Sequence, residues 1–475
     1  MLLILIFSPL FGAFIIFFTD KYNQDFIRNF SLFWSLIIFN SSLFLLTIFD
    51  TTNTQFQFVQ EITWLILPNL SIHFGIDGLS LSMLILTSFL LPICIVLYWN
   101  PSVASKGAKE FNICFLVLEA VLFGIFVTLD LLFFYLLFEA VLIPMYFIIG
   151  IYGSRERKIR ASYLLFLYTM VSSVFMFIAI LYLFFNFGTG NYQMLKTFQL
   201  NTNIEKFCWI AFFLAFAVKM PIVPLHIWLP EAHTEASTSG SIILAGILLK
   251  LGPYGFIRFL LGLFADSSAF FTPFIFTLCI FSLVYSSVTT LQQIDLKKIV
   301  AYSSIGHMSI VTIGIFSQSN QSLVGSIFLM LSHSLISASL FLVISFLYTR
   351  YSTRILNYFS GLISTMPIFS FFFLFVTFSN MSIPGTSSFI GEFLVLAGLA
   401  LDNIIVCCIT ILTLTLISAY SIWVLNRIIF NNYKQKSLFL FHDLIRLETH
   451  LIFTLLLIST LIGVNAKILT EFLLF

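Results

Sequence analysis

The stretch FFLAFAVKMPIVPLHIWLPEAH, residues 212–233, decides the fold. Its first half is as apolar as a helix in lipid, yet it carries Lys219, and Pro221 and Pro224 follow two and five residues later. A proline inside a helix removes a backbone hydrogen bond and clashes with the preceding turn, so the regular helix must open just beyond the lysine. Irregular backbone at membrane depth is tolerated only where it is buried in protein or lines a wet cavity. The stretch therefore predicts a membrane helix that is broken beside a polar pathway.

The composition of the whole chain agrees with a membrane protein. Of its 475 residues, 60% are hydrophobic and only 9% are charged. A soluble chain of this length needs more polar surface, whereas a chain that crosses lipid needs charges only in its connections and at working sites. At roughly 34 residues per helix and connection, the length predicts an all-α integral membrane protein with about 14 transmembrane helices. The net charge of +2 gives no reason to expect a nucleic-acid partner.

Apolar runs along the sequence predict the positions of these helices. The predicted spans lie near residues 2–18, 30–49, 79–98, 111–128, 131–152, 161–187, 207–225, 241–264, 270–290, 299–317, 322–349, 363–401 with an interruption, 403–430 and 450–465.

The distribution of Lys and Arg predicts the orientation of the chain. Of the 22 basic residues, 16 fall in connections after odd-numbered spans and four fall on the other side. Because short loops on the inner side of a membrane collect positive charge, both termini are predicted to face outward. The remaining two basic residues, Lys219 and Lys250, lie inside apolar runs.

A second interrupted span predicts an internal repeat. Residues 378–398 read FSNMSIPGTSSFIGEFLVLAG, where Pro384 and Gly385 break the helix and Glu392 follows about two turns later. The interruptions fall in spans 7 and 12, so spans 4–8 and 9–13 form two candidate five-helix repeats. Because five is an odd number, the second repeat starts on the opposite side of the membrane, and the two repeats are inverted relative to each other. The predicted divisions are 1–110, 111–264, 265–430 and 431–475.

Ionisable side chains inside the apolar runs are the candidate functional residues. A charged side chain at the bilayer centre costs about 2.5–3.5 kcal/mol, and such groups commonly relay protons or bind ions. The alternative is that they only pair with one another or act as hydrogen-bonding struts, which carries most weight for Glu119, His307 and His333. The candidates are Glu119, Glu139, Lys219, Lys250, His307, His333 and Glu392.

Other polar motifs predict no cofactor in this chain. His226, Glu231, His233 and Glu235 follow the first interruption without a metal-binding spacing, so they are interpreted as residues of a connection, with Glu235 superficial. The six cysteines have no metal-binding spacing either. No glycine-rich nucleotide motif or nucleophile elbow is present in the sequence. Redox or nucleotide chemistry must therefore come from elsewhere.

Four segments together resemble the chain 4 family of NADH:ubiquinone oxidoreductase, respiratory complex I. The resemblance covers most of spans 4 to 12 in order and spacing. The segments are FFYLLFEAVLIPMYFIIGIYGSRERKIRASYLLF at 133–166, FAVKMPIVPLHIWLPEAHTEASTSGSIILAGILLKLGPYG at 216–255, QIDLKKIVAYSSIGHMSIV at 293–311 and IPGTSSFIGEF at 383–393.

This resemblance implies an antiporter-like subunit in the proton-pumping membrane arm, with broken helices 7 and 12. The paired acid and lysine of the family match Glu139 and Lys219, its central lysine matches Lys250, and its exit-side acid matches Glu392. Family histidines match His307 and His333. The related chains 2 and 5 usually carry lysine at the position of Glu392, and chain 5 has a long C-terminal extension.

The resemblance also implies partners and a location. The neighbours would be the antiporter-like chains 2 and 5 and membrane lipids, while NADH, FMN, iron–sulfur clusters and ubiquinone would bind in partner subunits. The 61 phenylalanines are typical of an AT-rich organelle genome, which agrees with the mitochondrial inner membrane and termini on the intermembrane-space side. Two alternatives stay open at this point: a subunit of a Mrp-type cation/proton antiporter, and a scaffold without a transport role.

Overall fold

The chain folds as a bundle of membrane helices with one small β-hairpin. A computed structural model describes residues 1–53, 55–65, 70–99, 107–430 and 442–470. Lys106, Lys434 and Lys436, which entered the count of basic connections, lie outside the described residues, as does most of the connection that begins the division 431–475.

Helices are numbered here in chain order, and the two halves of an interrupted helix share a number. The first half of the chain contains α1 (Leu2–Phe18), α2 (Gln24–Ile48), β1 (Gln57–Leu65), β2 (Leu70–Ile76), α3 (Gly78–Leu97), α4 (Ala108–Val127), α5 (Leu131–Gly150), α6 (Lys158–Phe187), α7a (Thr202–Lys219), α7b (Trp228–Glu235) and α8 (Thr238–Leu261). The second half contains α9 (Ala265–Gln292), α10 (Leu296–Phe316), α11 (Asn320–Tyr351), α12a (Pro367–Asn380), α12b (Ser387–Asp402), α13 (Ile404–Phe430) and α14 (Arg446–Val464).

Most of these helices match the length of a bilayer. In the described residues of the chain, 11 helices are long and apolar enough to cross a membrane, and α1 and α12a are shorter apolar helices. A spanning helix needs about 20 apolar residues, so the chain is a multi-pass membrane protein. Their bounds lie within a few residues of the predicted spans.

The antiparallel hairpin of β1 and β2 covers one end of the bundle and was not predicted. It pairs Ile62 with Ile72, and the amide of Leu129 donates to the carbonyl of His73 at 2.8 Å. Arg258 at the end of α8 reaches the same region, where its guanidinium lies 2.6 Å from the carboxylate of Asp77. The hairpin, α3, α4 and α8 are therefore tied together at this end.

The opposite end, called the basic end here, is defined by Arg155, Lys297 and Arg354. A single antiparallel bridge pairs Asp295 with Ile355, which joins the connections before α10 and after α11. The guanidinium of Arg354 donates to the carbonyl of Thr234 and to the hydroxyl of Ser154. The connections after α5, α9 and α11 thus meet at one end of the bundle.

The helices α8, α10 and α11 form the centre of the bundle. Their apolar windows are 94%, 94% and 100% buried, against 28% for α2 and for α14. Glycines allow the closest approaches: a Cβ on Gly391 of α12b would lie 2.7 Å from the backbone nitrogen of Leu329 in α11. Polar groups on the central helices are consequently screened from lipid by protein.

Candidate functional site

Lys219 lies at the last turn of α7a, where the interruption begins as the prolines predict. Pro221 has no amide hydrogen, and the amide of Ile222 takes the carbonyl of Ala217 instead at 3.2 Å. The carbonyl of Val218 accepts from the indole of Trp228 in α7b at 2.9 Å. The free carbonyls of the break are thereby satisfied inside the protein, and the Lys219 side chain is held in a buried position.

Glu139 and Lys219 interact at a distance rather than as a contact pair. The Lys219 ammonium lies over the ring of Phe138, 4.5 Å from its centroid. Glu139 is half-buried on α5, where its carboxylate interacts with Ser173 and with the charge of Lys219, but no nitrogen–oxygen distance between them falls within 4.0 Å. A small movement of either side chain would therefore change their interaction energy substantially.

Lys250 lies at an irregular turn in the middle of α8 that was not predicted. The α-helical segment Thr238–Gly246 gives way to a 3₁₀ turn at Leu248–Lys250 and later to a π-helical segment at Phe256–Leu261. The Lys250 ammonium donates to the carbonyl of Ala245 at 2.6 Å and lies 2.9 Å from Nδ1 of His333. The side chain of this fully buried lysine is thus fixed towards α11.

Two histidines connect Lys250 with Glu392. The rings of His333 on α11 and His307 on α10 have centroids 5.6 Å apart. Nδ1 of His307 lies 3.3 Å from Oε1 of Glu392, which is ion-pair distance without hydrogen-bond alignment. The four side chains form a row across α8, α11, α10 and α12b, in which each group lies beside the next.

The second interruption places Glu392 at the end of this row. The chain leaves α12a at Asn380 and enters α12b at Ser387, passing Gly385 with φ of 96°, a conformation that favours glycine. The hydroxyl of Ser388 donates to the carbonyl of Ser379 across the break at 2.6 Å. Glu392 is then buried one turn into α12b, facing α10.

Glu119 is the one predicted candidate residue that interacts with none of the other candidates. It is fully buried on α4, and neither carboxylate oxygen has a hydrogen-bond partner among the described residues. It makes no ion pair with the other candidates. The geometry gives no contact that would make Glu119 a member of the row.

The interpretation of residues 226–235 as a polar connection was wrong. Trp228–Glu235 is the helix α7b, and His226, His233 and Glu235 are buried, with Glu235 only 2% exposed. The prediction that Glu235 is superficial is therefore corrected as well. The cause is that α7b packs between α6 and α10, so its polar face points into the bundle. Glu231 is the exception, since it is partly exposed and pairs with Lys298 at 3.2 Å.

Two more buried polar residues belong to the surroundings of the row. Tyr420 on α13 is 2% exposed and interacts electrostatically with Glu392. Lys297 in the first turn of α10 is 4% exposed and donates to the carbonyl of Ala236 at 3.0 Å. Sequence reasoning placed Lys297 in a connection because charged neighbours surround it, and the only signal against this was the apolar run that starts two residues later.

Comparison with known proteins identifies the family. Residues 128–418 match the family model described as NADH:quinone oxidoreductase/Mrp antiporter, TM. The chain is 50% identical over 98% of its length to NADH-ubiquinone oxidoreductase chain 4 from Marchantia polymorpha, covering 94% of that protein. It is also 50% identical over 98% of its length to the chain 4 protein of Arabidopsis thaliana, covering 93% of it. The chain belongs to the NADH-ubiquinone oxidoreductase chain 4 family.

Solved structures agree with this family. A chain of respiratory complex I from Thermus thermophilus superposes with a TM-score of 0.89 at 25% identity, covering 100% of this chain and 97% of that one. A chain of the Mrp complex from Dietzia sp. superposes with a TM-score of 0.87 at 18% identity, covering 99% and 95%. The second likeness concerns the fold alone.

Proposed function

We propose that this chain is the chain 4 subunit of mitochondrial respiratory complex I and that it translocates protons across the inner membrane. NADH oxidation and ubiquinone reduction take place in other subunits, which carry FMN, iron–sulfur clusters and the quinone site. This chain contributes the conducting residues. Its relatives carry the name NADH-ubiquinone oxidoreductase chain 4, at half identity over nearly their whole length.

The observation that carries the proposal is the row of Lys250, His333, His307 and Glu392. Its closest link is the 2.9 Å contact between Lys250 and His333, and its last link is the 3.3 Å approach of His307 to Glu392. Each member can hold or release a proton, and ordered water or a small rotation can complete the links that lack hydrogen-bond alignment. A proton can therefore cross the centre of the bundle along this row.

Glu139 and Lys219 control the row in this proposal. A charge change in a neighbouring subunit moves Glu139 closer to Lys219 or away from it. The protonated form of Lys219 is stabilised when Glu139 is close and destabilised when Glu139 moves away. When the attraction weakens, Lys219 passes its proton towards Lys250. Glu392 then connects the row to release on the outer side and to the adjoining subunit.

The proposed architecture has 14 transmembrane helices with both termini on the intermembrane-space side. Helices α4–α8 and α9–α13 form the two inverted repeats, within the divisions 111–264 and 265–430. The N-terminal helices of residues 1–110 precede the repeats, and residues 431–475 follow them. The interruptions of α7 and α12 at matching places support the repeat. The adjacent subunits are proposed to be the antiporter-like chains 2 and 5.

Substitution of Lys250 tests the function. Lys250→Ala removes the central proton carrier, so we expect proton translocation by the assembled complex to fall by roughly a hundredfold. Translocation is measured as quenching of a pH-sensitive dye in sealed inverted membranes during NADH oxidation, and a native gel confirms assembly. Lys196→Ala, in the connection after α6, is the matched control. Normal pumping by assembled Lys250→Ala would contradict the proposal.

A Mrp-type antiporter subunit is the second candidate, and its fold likeness is the observation in its favour. Sequence identity favours complex I, because it is 50% with the chain 4 protein of Marchantia polymorpha and 18% with the chain of the Mrp complex. A native gel probed for this chain separates the two. Co-migration with NADH dehydrogenase activity supports complex I, whereas a smaller assembly with sodium transport would support the antiporter.

A further inference from the structure

A cavity lined by both polar and apolar groups lies at the basic end of the bundle, away from the row of proton-carrying residues. Its volume is about 310 Å³, and its lining includes Ser154, Ser237, Thr349, Lys297 and Arg354. A water molecule takes about 30 Å³ of liquid volume, so several waters fit beside these polar groups. The cavity is therefore suited to hold water between the surface and the interior.

Lys297 separates this cavity from the interior. Its ammonium lines the cavity, donates to the carbonyl of Ala236 at 3.0 Å and approaches the hydroxyl of Ser241 in α8 at 3.4 Å. Ala236 lies between α7b and α8, and Ser241 lies in the first turn of α8, the helix that carries Lys250. The charged groups that act on Lys297 are Arg354, Asp295, Glu235 and Arg155, and none of the carboxylates lies within ion-pair distance.

His233 lies on the interior side of Lys297. Its ring is fully buried, stacks on Phe341 with centroids 4.7 Å apart, and has no hydrogen-bond partner for either nitrogen among the described residues. Both Lys297 and Lys250 act on it electrostatically. Ser241 links the two neighbours, because its hydroxyl also donates to the backbone carbonyl of His233 at 3.2 Å. His233 is thus a buried titratable group within electrostatic reach of both lysines, and the row does not use it.

We propose that Lys297 is a proton-loading residue at the inner end of the cavity, from which protons reach Lys250 through His233. This inference rests on the proposed function and adds a supply of protons that does not pass Lys219. Lys297 gives a proton from its ammonium to the free lone pair of His233. The imidazolium then gives a proton to the neutral amine of Lys250, and cavity water protonates the Lys297 amine again. Each step moves one proton from one nitrogen to another and conserves charge.

Two substitutions at the same position separate proton transfer from structure. Lys297→Arg keeps the positive charge and the hydrogen-bond donors but does not release a proton in a protein. We expect it to lower proton translocation by at least about tenfold, since positioned proton carriers contribute roughly that much or more. Lys297→His carries a group whose unperturbed pKa of about 6.5 is far below that of lysine, so its pumping is expected to decline at a lower pH on the side of the basic end than pumping by the wild type does. A purely structural lysine would be replaced successfully by arginine and would show no such decline.

The matched control is Lys298→Arg at the next position. Lys298 is about one-third exposed, pairs with Glu231 at 3.2 Å and does not line the cavity. Its replacement is expected to leave pumping unchanged. Proton translocation is measured in sealed inverted membranes with the complete complex, and a native gel verifies assembly of each variant.

His233→Phe gives an independent test, since the aromatic stacking on Phe341 is kept while both nitrogens are removed. His233→Phe is expected to reduce proton translocation as much as Lys297→Arg does. If Lys297→Arg does not assemble, pumping by His233→Phe alone tests the inference. Wild-type pumping by assembled Lys297→Arg or by His233→Phe would overturn this inference while the row stands. Wild-type pumping by Lys250→Ala would overturn the proposed function as well, so the two failures are distinguishable.

Discussion

Lys250 is held by two contacts that differ in kind. The carbonyl of Ala245 is a permanent acceptor, whereas Nδ1 of His333 accepts only while that nitrogen is unprotonated. The lysine therefore keeps one fixed anchor and one contact that depends on the state of its neighbour. This arrangement allows a proton to move without displacing the side chain from the interior.

Removing His333 tests the contact on the α11 side. His333→Leu replaces the imidazole by an apolar side chain of similar volume and so removes the hydrogen-bond partner of Lys250. Loss of a hydrogen bond to a charged group costs about 1.5–3 kcal/mol, which corresponds to roughly a ten- to hundredfold lower rate if it is needed in the transfer step. Dye quenching during NADH oxidation measures the change, and His73→Gln on the hairpin is the control. Equal pumping by both variants would exclude His333 from the row.

Glu392→Gln tests the other end of the row. The amide keeps the shape of the side chain but neither carries charge nor accepts a proton from His307, 3.3 Å away in the native protein. We expect assembled complexes with a normal amount of this chain and proton translocation reduced by roughly a hundredfold. Glu110→Gln, at an exposed ion pair with Lys21, is expected to pump normally. A pumping Glu392→Gln complex would place the exit elsewhere.

Sequence reasoning found some of these residues and missed others for a physical reason. Glu139, Lys219, Lys250 and Glu392 stand alone in apolar runs, where a charged side chain is costly and therefore informative. Lys297 stands among charged neighbours at a helix start, so its burial depends on how α10 packs against α8. Such packing has no local signature in the chain.

At the scale of elements, the glycines after Lys250 determine how α8 meets α7a. A Cβ on Gly252 would lie 2.5 Å from the Cβ of Met220 and 3.1 Å from its backbone nitrogen. Gly255 lies against the ring of Phe216 in the same way. Met220, which follows Lys219, thus packs directly on Gly252, two residues after Lys250. A displacement at one interruption is therefore expected to displace the other.

Gly252→Ala tests this coupling between elements. The added methyl group meets backbone, which cannot turn aside, and overpacking of this kind costs about 1–3 kcal/mol. We expect a lower temperature of thermal inactivation together with slower pumping, because Lys219 is displaced relative to Lys250. Gly150→Ala is the control, since its Cβ would make only an ordinary contact at 3.5 Å with the hydroxyl of Ser162. Unchanged stability and pumping in Gly252→Ala would contradict the coupling.

Asp77→Asn tests the tie between α3 and α8 and its dependence on pH. Burial alone would raise the pKa of the Asp77 carboxyl, but the charge and hydrogen bond of Arg258 and the hydrogen bonds of Ser80 outweigh it and hold the pKa below the usual 3.8. A lowered pKa in the folded state stabilises the fold above about pH 4 and loses this effect as the pH falls through the lowered value. We expect the substitution to cost about 3–5 kcal/mol at neutral pH, because it leaves the buried Arg258 unpaired.

Thermal unfolding of the assembled complex at several pH values measures this cost. The difference between wild type and Asp77→Asn is expected to shrink below about pH 4. Asp50→Asn is the control, because the Asp50 carboxylate is exposed and accepts hydrogen bonds only from its neighbour Thr52 among the described residues. A difference that is independent of pH would show that the ion pair does not provide the stability.

Among the elements, the spans could be predicted closely and the hairpin could not. Apolar runs of about 20 residues report helices in lipid directly, as for α3, predicted at 79–98 and present at Gly78–Leu97. The strands Gln57–Leu65 and Leu70–Ile76 lie between apolar runs, and contacts of β2 with Thr128 and Leu129 attach the hairpin to the bundle. The interruption at Lys250 was missed although Pro253 lies three residues later. A proline there cannot donate a backbone hydrogen bond to the carbonyl of Leu249.

At the scale of the whole molecule, the two ends of the bundle differ in chemistry. The basic end gathers Arg155, Lys297, Lys298 and Arg354, while the other end carries the hairpin and the Asp77–Arg258 pair. Short basic loops stay on the inner side of a membrane. This difference supports the proposed orientation, with the basic end on the matrix side.

Single cysteines test the proposed orientation. A cysteine in place of the exposed Tyr22, between α1 and α2, is expected to react with a membrane-impermeant maleimide only when the matrix side is accessible. A cysteine in place of the exposed Asn186, at the end of α6, is expected to react only from the intermembrane-space side. Intact and inverted vesicles of the same membrane give the two conditions. The reverse labelling pattern would contradict the orientation.

The enclosure of α8, α10 and α11 has a consequence for handling the protein. At least 94% of the residues in their apolar windows are buried in the protein, whereas the buried share is only 28–39% in α2, α6, α13 and α14. Replacing phospholipid by detergent therefore exchanges the solvent of the rim but leaves the dielectric environment of the lysines and histidines as it was. The proton-carrying residues are therefore expected to have the same surroundings in a detergent micelle as in the membrane.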